Sequence, residues 1–188
     1  VLLVATQADL DADKVGEIQC QHRLTTEDGE AMTMVSHPPM VRDVNRTAGD
    51  IVAVIIAETD SIAQDAMELI DARYDSKPAV TDVYAAIEDG APQLYDEYPR
   101  NIAFNWVEGD HVSTNAAIAG AEAAGMELFD IDVVNNRVII NSMETRPMIA
   151  GPGEEEGSLD IWCGTQGPVG VAEQIADALG MARNLVRV

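Results

Sequence analysis

Two strand-to-helix successions, separated by an aperiodic stretch rich in turn formers, predict an α+β fold in two parts. The first is the β-branched run Ile51-Val52-Ala53-Val54-Ile55-Ile56-Ala57, followed by apolar residues at helical spacing. The second is Ser158-Leu159-Asp160-Ile161-Trp162-Cys163, which passes through a short polar loop into another amphipathic stretch. Between them, residues 89–100 open on Asp89-Gly90-Ala91-Pro92 and carry acid and turn formers without periodicity, so they mark a linker between residues 1–88 and residues 101–188.

The elements follow in chain order. Residues 1–5 read as a buried strand and residues 9–13 as a turn or short helical start. Asp28-Gly29, set between Leu24-Thr25 and Ala31-Met32, signals a hairpin because both residues tolerate positive φ. Residues 51–57 read as a central strand buried on both faces. Thr59 or Asp60 caps the next helix, whose stripe is Ile62, Ala63, Ala66, Leu69 and Ile70. A short strand is expected over 72–75 and one helical turn over 83–87. In the second part, 102–107 alternates as a strand, 113–124 is an Ala-rich helix, and 126–134 reads as a long half-exposed strand. Asn135-Asn136 turns that strand into 137–141, and residues 151–157 form a second hairpin tip before 158–163 returns. Pro168 suits the first position of a final helix with Val171, Ala172, Ile175, Ala178 and Leu179 inward and Gly180 as its C-terminal cap.

Charge excludes two classes of partner. With 33 acidic against 11 basic residues in 188, the formal net charge is −22, and such a surface repels both a phosphate backbone and an anionic leaflet. Nucleic acid and membrane roles are therefore not expected. The hydrophobic share of 47% argues for a packed core, so the excess acid reads as solvated surface. Cys20 and Cys163 lie far apart without metal-ligand spacing, which suggests neither a zinc site nor a disulfide framework and fits a reduced, cytoplasmic setting. No apolar stretch has the length of a signal core or a membrane span. The chain opens without Met on a strand pattern and closes on another, Val186-Arg187-Val188, so it is expected to be part of a longer polypeptide.

Few residues carry a chemical signal. His22, His37 and His111 make no ligand pair, and Gly164, Gly167 and Gly170 lack both the dinucleotide-binding order and a P-loop lysine. Glu144 and Arg146 can hold a substrate, although a local ion pair or a turn cap is the more ordinary reading. Gln166 differs. It stands at the mouth of a helix, where unpaired N–H groups favour electron-rich ligands, and its neutral carboxamide donates a hydrogen bond without changing protonation state. A simple helix cap is the competing reading of Thr165-Gln166.

The order of segments resembles the molybdenum hydroxylase large subunits, the family of xanthine dehydrogenase, aldehyde oxidase and carbon monoxide dehydrogenase. The similarity runs through Gly49-Asp50-Ile51-Val52, Ala63-Gln64-Asp65-Ala66, Lys77-Pro78-Ala79-Val80, Gly90-Ala91-Pro92, Asn101-Ile102-Ala103-Phe104, Met143-Glu144-Thr145-Arg146 and Gly164-Thr165-Gln166-Gly167-Pro168. It implies an α/β hammerhead domain over residues 1–88, then the first, β-rich segment of a molybdenum-cofactor-binding domain over 101–188. It implies molybdenum-molybdopterin in the complete subunit, with iron-sulfur clusters and FAD on a small and a medium partner subunit, and a dimer of the whole complex. The implied reaction is hydroxylation of an aldehyde, purine or N-heterocycle, or oxidation of carbon monoxide. Gln166 is then the residue that hydrogen-bonds an oxo ligand of molybdenum, with Gly164, Thr165 and Gly167 beside it as cofactor-binding residues. The family's glycine-rich loop and catalytic glutamate are expected beyond Val188, so this chain alone is not expected to turn over. The alternative is a free-standing hammerhead-like scaffold that mediates subunit contacts without catalysis.

Overall fold

Strand β1 (Leu3–Ala5) pairs antiparallel with β2 (Val54–Ile56), Val4 opposite Ile55. The computed structural model describes residues 1–135, 138, 143–145 and 147–188. These fall into two units, one of Val1–Arg23, Thr33–Ala103 and Arg146–Val188, the other of Leu24–Met32 and Phe104–Thr145.

In the larger unit, helix α1 (Gln7–Ala12) follows β1 directly, its start fixed by the Thr6 amide and hydroxyl donating to Asp9 Oδ2 at 2.7 and 2.9 Å. Gln7 is 2% exposed, and both ends of its carboxamide are bonded. Oε1 accepts from the Met40 amide at 2.9 Å and Nε2 donates to Asp11 Oδ1 at 2.8 Å. Gln7→Ala in the full-length subunit would leave the buried Met40 N–H without a partner. The expected cost is about 1–3 kcal/mol, read as faster exchange of that amide. Unchanged protection there would contradict the assignment.

Arg42 closes the same region, its Nη2 2.9 Å from Asp11 Oδ1 and its Nη1 3.2 Å from Glu17 Oε1. The guanidinium holds the Asp11 carboxyl below the usual carboxylate range, and the Ser36 hydroxyl together with Arg42 does the same for Glu17. Both folded-state values are depressed, so the stabilisation is present at neutral pH and is lost as pH falls through them. The groups are partly exposed and the effect is small. Protection of α1 in the wild type and in Arg42→Gln should therefore converge on acidification below the carboxylate range; a constant gap would show that the ion pairs contribute nothing.

Helix α2 (Asp60–Glu68) begins where Thr59 Oγ1 accepts from the Ile62 amide at 3.3 Å, as the capping signal predicts. A 3₁₀ turn at Ala85–Ile87 matches the expected helical turn. The strand expected over 51–57 is shorter and less covered. Only Val54–Ile56 is paired, in a two-stranded ribbon, and Val54 and Ile56 stay exposed, as do Leu3 and Val4 of the first strand, because such a ribbon cannot bury both faces. Residues 72–75 form no strand.

The carboxy-terminal part of this unit holds its core. Strand β3 (Met148–Pro152) pairs antiparallel with β4 (Leu159–Cys163), which pairs parallel with β5 (Val186–Arg187). The predicted hairpin tip at 151–157 is where β3 returns as β4, with Gly153 N donating to Ser158 O at 3.0 Å. Helix α4 (Pro168–Leu179) lays Ala172 and Ala176, each 1% exposed, on Ile161 and Val186. The inward stripe thus contains Ala176, while the apolar Leu179 of the predicted stripe is 44% exposed. Gly180 ends the helix in the left-handed conformation (φ 62°), which favours glycine. Across the parallel pair, Asp160 and Arg187 form a two-bond ion pair, Arg187 Nε lying 3.0 Å from Asp160 Oδ1 and Nη2 bonding Oδ2.

In the smaller unit, one antiparallel bridge joins Thr25 to Ala31 around the Asp28-Gly29 turn. Only Gly29 takes positive φ there (87°), since the Asp28 carboxylate instead accepts from the Thr26 hydroxyl and the Glu30 amide. Helix α3 (His111–Ala123) starts two residues earlier than expected because Asp110 accepts from the Ser113 amide at 2.9 Å. The strand patterns at 102–107 and 126–134 are not realised as strands: their backbone joins no ladder among the described residues, although Asn105 O accepts from the Glu27 amide at 2.9 Å. The turn at Asn135-Asn136 and the strand over 137–141 fall mostly outside the described residues.

Candidate functional site

The β4–α4 junction is built by two opposed demands. Ile161 and Cys163 face the helix and pack on its alanines, whereas Trp162 on the other face is 57% exposed, so β4 delivers the chain to its end in a fixed orientation. Residues 164–167 then reverse into α4, with Pro168 at its first position.

Within that loop, the Thr165 hydroxyl accepts from the Gly167 amide at 3.1 Å. Thr165 therefore shapes the turn, and its oxygen and the Gly167 N–H satisfy each other. Among the described residues no side chain caps α4, which leaves the first N–H groups after Pro168 open at this end. Gln166 is exposed and its carboxamide has no hydrogen-bond partner among the described residues. An added Cβ at Gly164, Gly167 or Gly170 would meet nothing within 4 Å, so the surroundings of the loop are open space. The arrangement offers neutral donors only: one amide side chain beside a helix mouth.

The other candidates are dispersed. His111 opens α3, His22 accepts the Cys20 thiol through its backbone oxygen, and His37 lies in the larger unit, where its backbone oxygen accepts from Ile18. Among the described residues no three of His, Cys, Asp and Glu gather as a metal would require. Glu144 is exposed, and its sequence neighbour Arg146 lies outside the described residues. A cleft of about 280 Å³ in the larger unit is lined by Pro38, Pro39, Val44, Arg46, Ile51 and Tyr95, among others, and Gln166 is not part of it. Sequence reasoning missed its organising residue, Arg46, which stacks on Tyr95 at 4.4 Å and donates to Leu94 O. An arginine and an aromatic 49 positions apart carry no local signal.

The family model of the molybdopterin cofactor-binding domain matches residues 94–188, and that of the aldehyde oxidase and xanthine dehydrogenase a/b hammerhead domain matches residues 1–78. The chain belongs to the molybdenum hydroxylase family. It is 25% identical over 185 residues to the carbon monoxide dehydrogenase large chain of Afipia carboxidovorans, covering 88% of this chain and 22% of that one. It is 32% identical over 168 residues to the nicotine 6-hydroxylase large subunit of Paenarthrobacter nicotinovorans, covering 89% and 19%. This molybdenum hydroxylase chain thus spans about a fifth of the length of those curated relatives. Among solved structures, quinoline 2-oxidoreductase from Pseudomonas putida 86 superposes with a TM-score of 0.64 at 26% identity, covering 98% of this chain and 22% of that one. Reconstituted carbon monoxide dehydrogenase from Oligotropha carboxidovorans shares the fold at a TM-score of 0.69 and 22% identity, with coverage of 99% and 23%. No helix among the described residues is long and apolar enough to cross a membrane.

Proposed function

We propose that this chain is part of the catalytic large subunit of a molybdopterin-dependent oxidoreductase that hydroxylates an aldehyde, purine or N-heterocycle, or oxidises carbon monoxide. The observation that carries the reading is Gln166, an exposed amide without a hydrogen-bond partner among the described residues, beside the start of α4. The donor set suits an oxygen-rich, anionic cofactor: amide and backbone N–H groups present hydrogens, and no carboxylate belongs to residues 164–170. The residues fit the group. Molybdenum held by molybdopterin would supply the two-electron redox centre. Gln166 would donate its carboxamide hydrogen to that group, and Thr165 holds the turn that would present it. Gly164 and Gly167 keep the approach free of side chains.

The same reading divides the chain into a hammerhead domain over 1–88, a linker over 89–100 and the start of the cofactor domain over 101–188. It places an iron-sulfur small subunit and an FAD medium subunit beside it in the cytoplasm, with the complete complex a dimer. The test is to purify the full-length subunit with its co-expressed neighbours, to measure molybdenum, pterin, iron and flavin, and to assay turnover of an aldehyde, xanthine, quinoline and carbon monoxide with a dye acceptor. Stoichiometric molybdenum and pterin with turnover of one of these substrates is expected. A well-folded subunit without either, or a loaded one inert toward all four, would overturn the reading.

A further inference from the structure

We infer that Gly16 is a positioning residue for the β4–α4 junction, setting the seat of the helix that carries Gln166 at its mouth; the inference rests on the role proposed for Gln166. The last carbonyls of a helix lack intrahelical donors. In α4, Gly180 N serves Ala176 and Asp177, and Met181 N also reaches Ala176 at 2.8 Å. The Ala178 carbonyl is served from the opposite end of the chain, by the Gly16 amide at 2.6 Å.

That approach is possible because Gly16 has no side chain. A Cβ built there would lie 3.2 Å from Ala178 O and 3.3 Å from Ala178 Cα, both backbone atoms that cannot rotate aside. Nor is Gly16 free to retreat. Val15 N is held by Leu10 O at 2.9 Å, and the Glu17 carboxylate is held by Ser36 at 2.6 Å and by Arg42. With its neighbours anchored on both sides, an added methyl pushes α4 instead. The helix rests on its sheet through Ala172 and Ala176, with Ile175 packed beside them, and it is a rod of about 18 Å at 1.5 Å per residue that moves as one piece. A displacement imposed at its carboxy-terminal turn is therefore carried to the start, beside Gln166. Backbone conformation does not enter, since Gly16 lies outside the positive-φ region.

The experiment is a double-variant cycle in the cofactor-loaded, full-length enzyme, comparing Gly16→Ala, Gln166→Ala and the pair. One readout is the molybdenum(V) paramagnetic resonance spectrum after partial reduction with dithionite, which needs no substrate; the other is hydrogen exchange of amides 169–171 in the cofactor-free subunit, which remains readable if loading falls. Gly16→Ala is expected to move the spectrum as Gln166→Ala does, to add nothing in the Gln166→Ala background, and to speed exchange at 169–171 about three- to tenfold, a local loosening at the helix start. A structural role elsewhere would leave the spectrum unmoved or shift it additively, and either result, or unchanged exchange, overturns the inference while Gln166 keeps its role. A spectrum indifferent to Gln166→Ala removes both.

Discussion

Gln166→Ala in the loaded full-length enzyme is expected to lower kcat by about 100- to 1,000-fold and to leave KM within about twofold, the range for removing one donor aimed at developing charge. The asymmetry follows from what an amide at a helix mouth can do. In the ground state a neutral hydrogen bond contributes only about 0.5–1.5 kcal/mol net, because water competes for the same partners. A fixed donor gains when negative charge builds on its acceptor in the rate-limiting step, because it needs no reorganisation at that moment. The Thr165 turn and the packed β4 strand hold the backbone of Gln166 in place. Gln166→Glu separates this from a steric role. The ionised carboxylate is nearly isosteric but has no hydrogen to give, so it should be at least as slow as alanine, whereas a space-filling role would be restored. Unchanged kcat in Gln166→Ala, with molybdenum and pterin at wild-type content, would remove Gln166 from the reaction.

What the sequence discloses, and what it hides, divides along one physical line. Signals that act within a few residues are realised: Thr59 caps α2, Pro168 opens α4, Gly180 closes it, and the 151–157 turn returns β3 as β4. Strand patterns fare worse, because alternation reports which face is apolar and says nothing of which backbone pairs with it. Residues 126–134 and 102–107 have the pattern without the ladder, and 51–57 is paired over three residues only. The junction at Thr165-Gln166 is legible as a strand-to-helix turn because strand, polar loop and helix are contiguous there. Contacts between distant positions, Gln7 with Met40 and Gly16 with Ala178, had no sequence signal. Each depends on one amide and on the absence or exact length of one side chain.

Ile161→Ala should be the most destabilising change in the carboxy-terminal part of the chain, costing about 2–5 kcal/mol in the stability of the β4–α4 contact. Ile161 is 5% exposed and shares one small cluster with Ala172, Ala176 and Val186. Its fully buried neighbours include two alanines, which have no side-chain length with which to refill the space, so collapse is left to the partly buried side chains around them, such as Ile175 and Leu159. Ile161→Val, which removes one methylene, should cost only about 0.5–1.5 kcal/mol. Filling the contact from the other side is no remedy. Ala176→Leu adds volume where the helix already lies flush against the sheet and should cost about 1–3 kcal/mol. Trp162→Ala is the control, since that larger side chain lies on the opposite face of the same strand at 57% exposure and its removal should cost less than the Ile161 truncation. The measurement is hydrogen exchange of the α4 amides in the full-length subunit, which reports the opening of this contact without requiring the whole molecule to unfold in one step. If Trp162→Ala loosened α4 as much as Ile161→Ala, the helix would be held by the outer face of the sheet, and the alanine-on-isoleucine contact would not be what fixes the Gln166 loop.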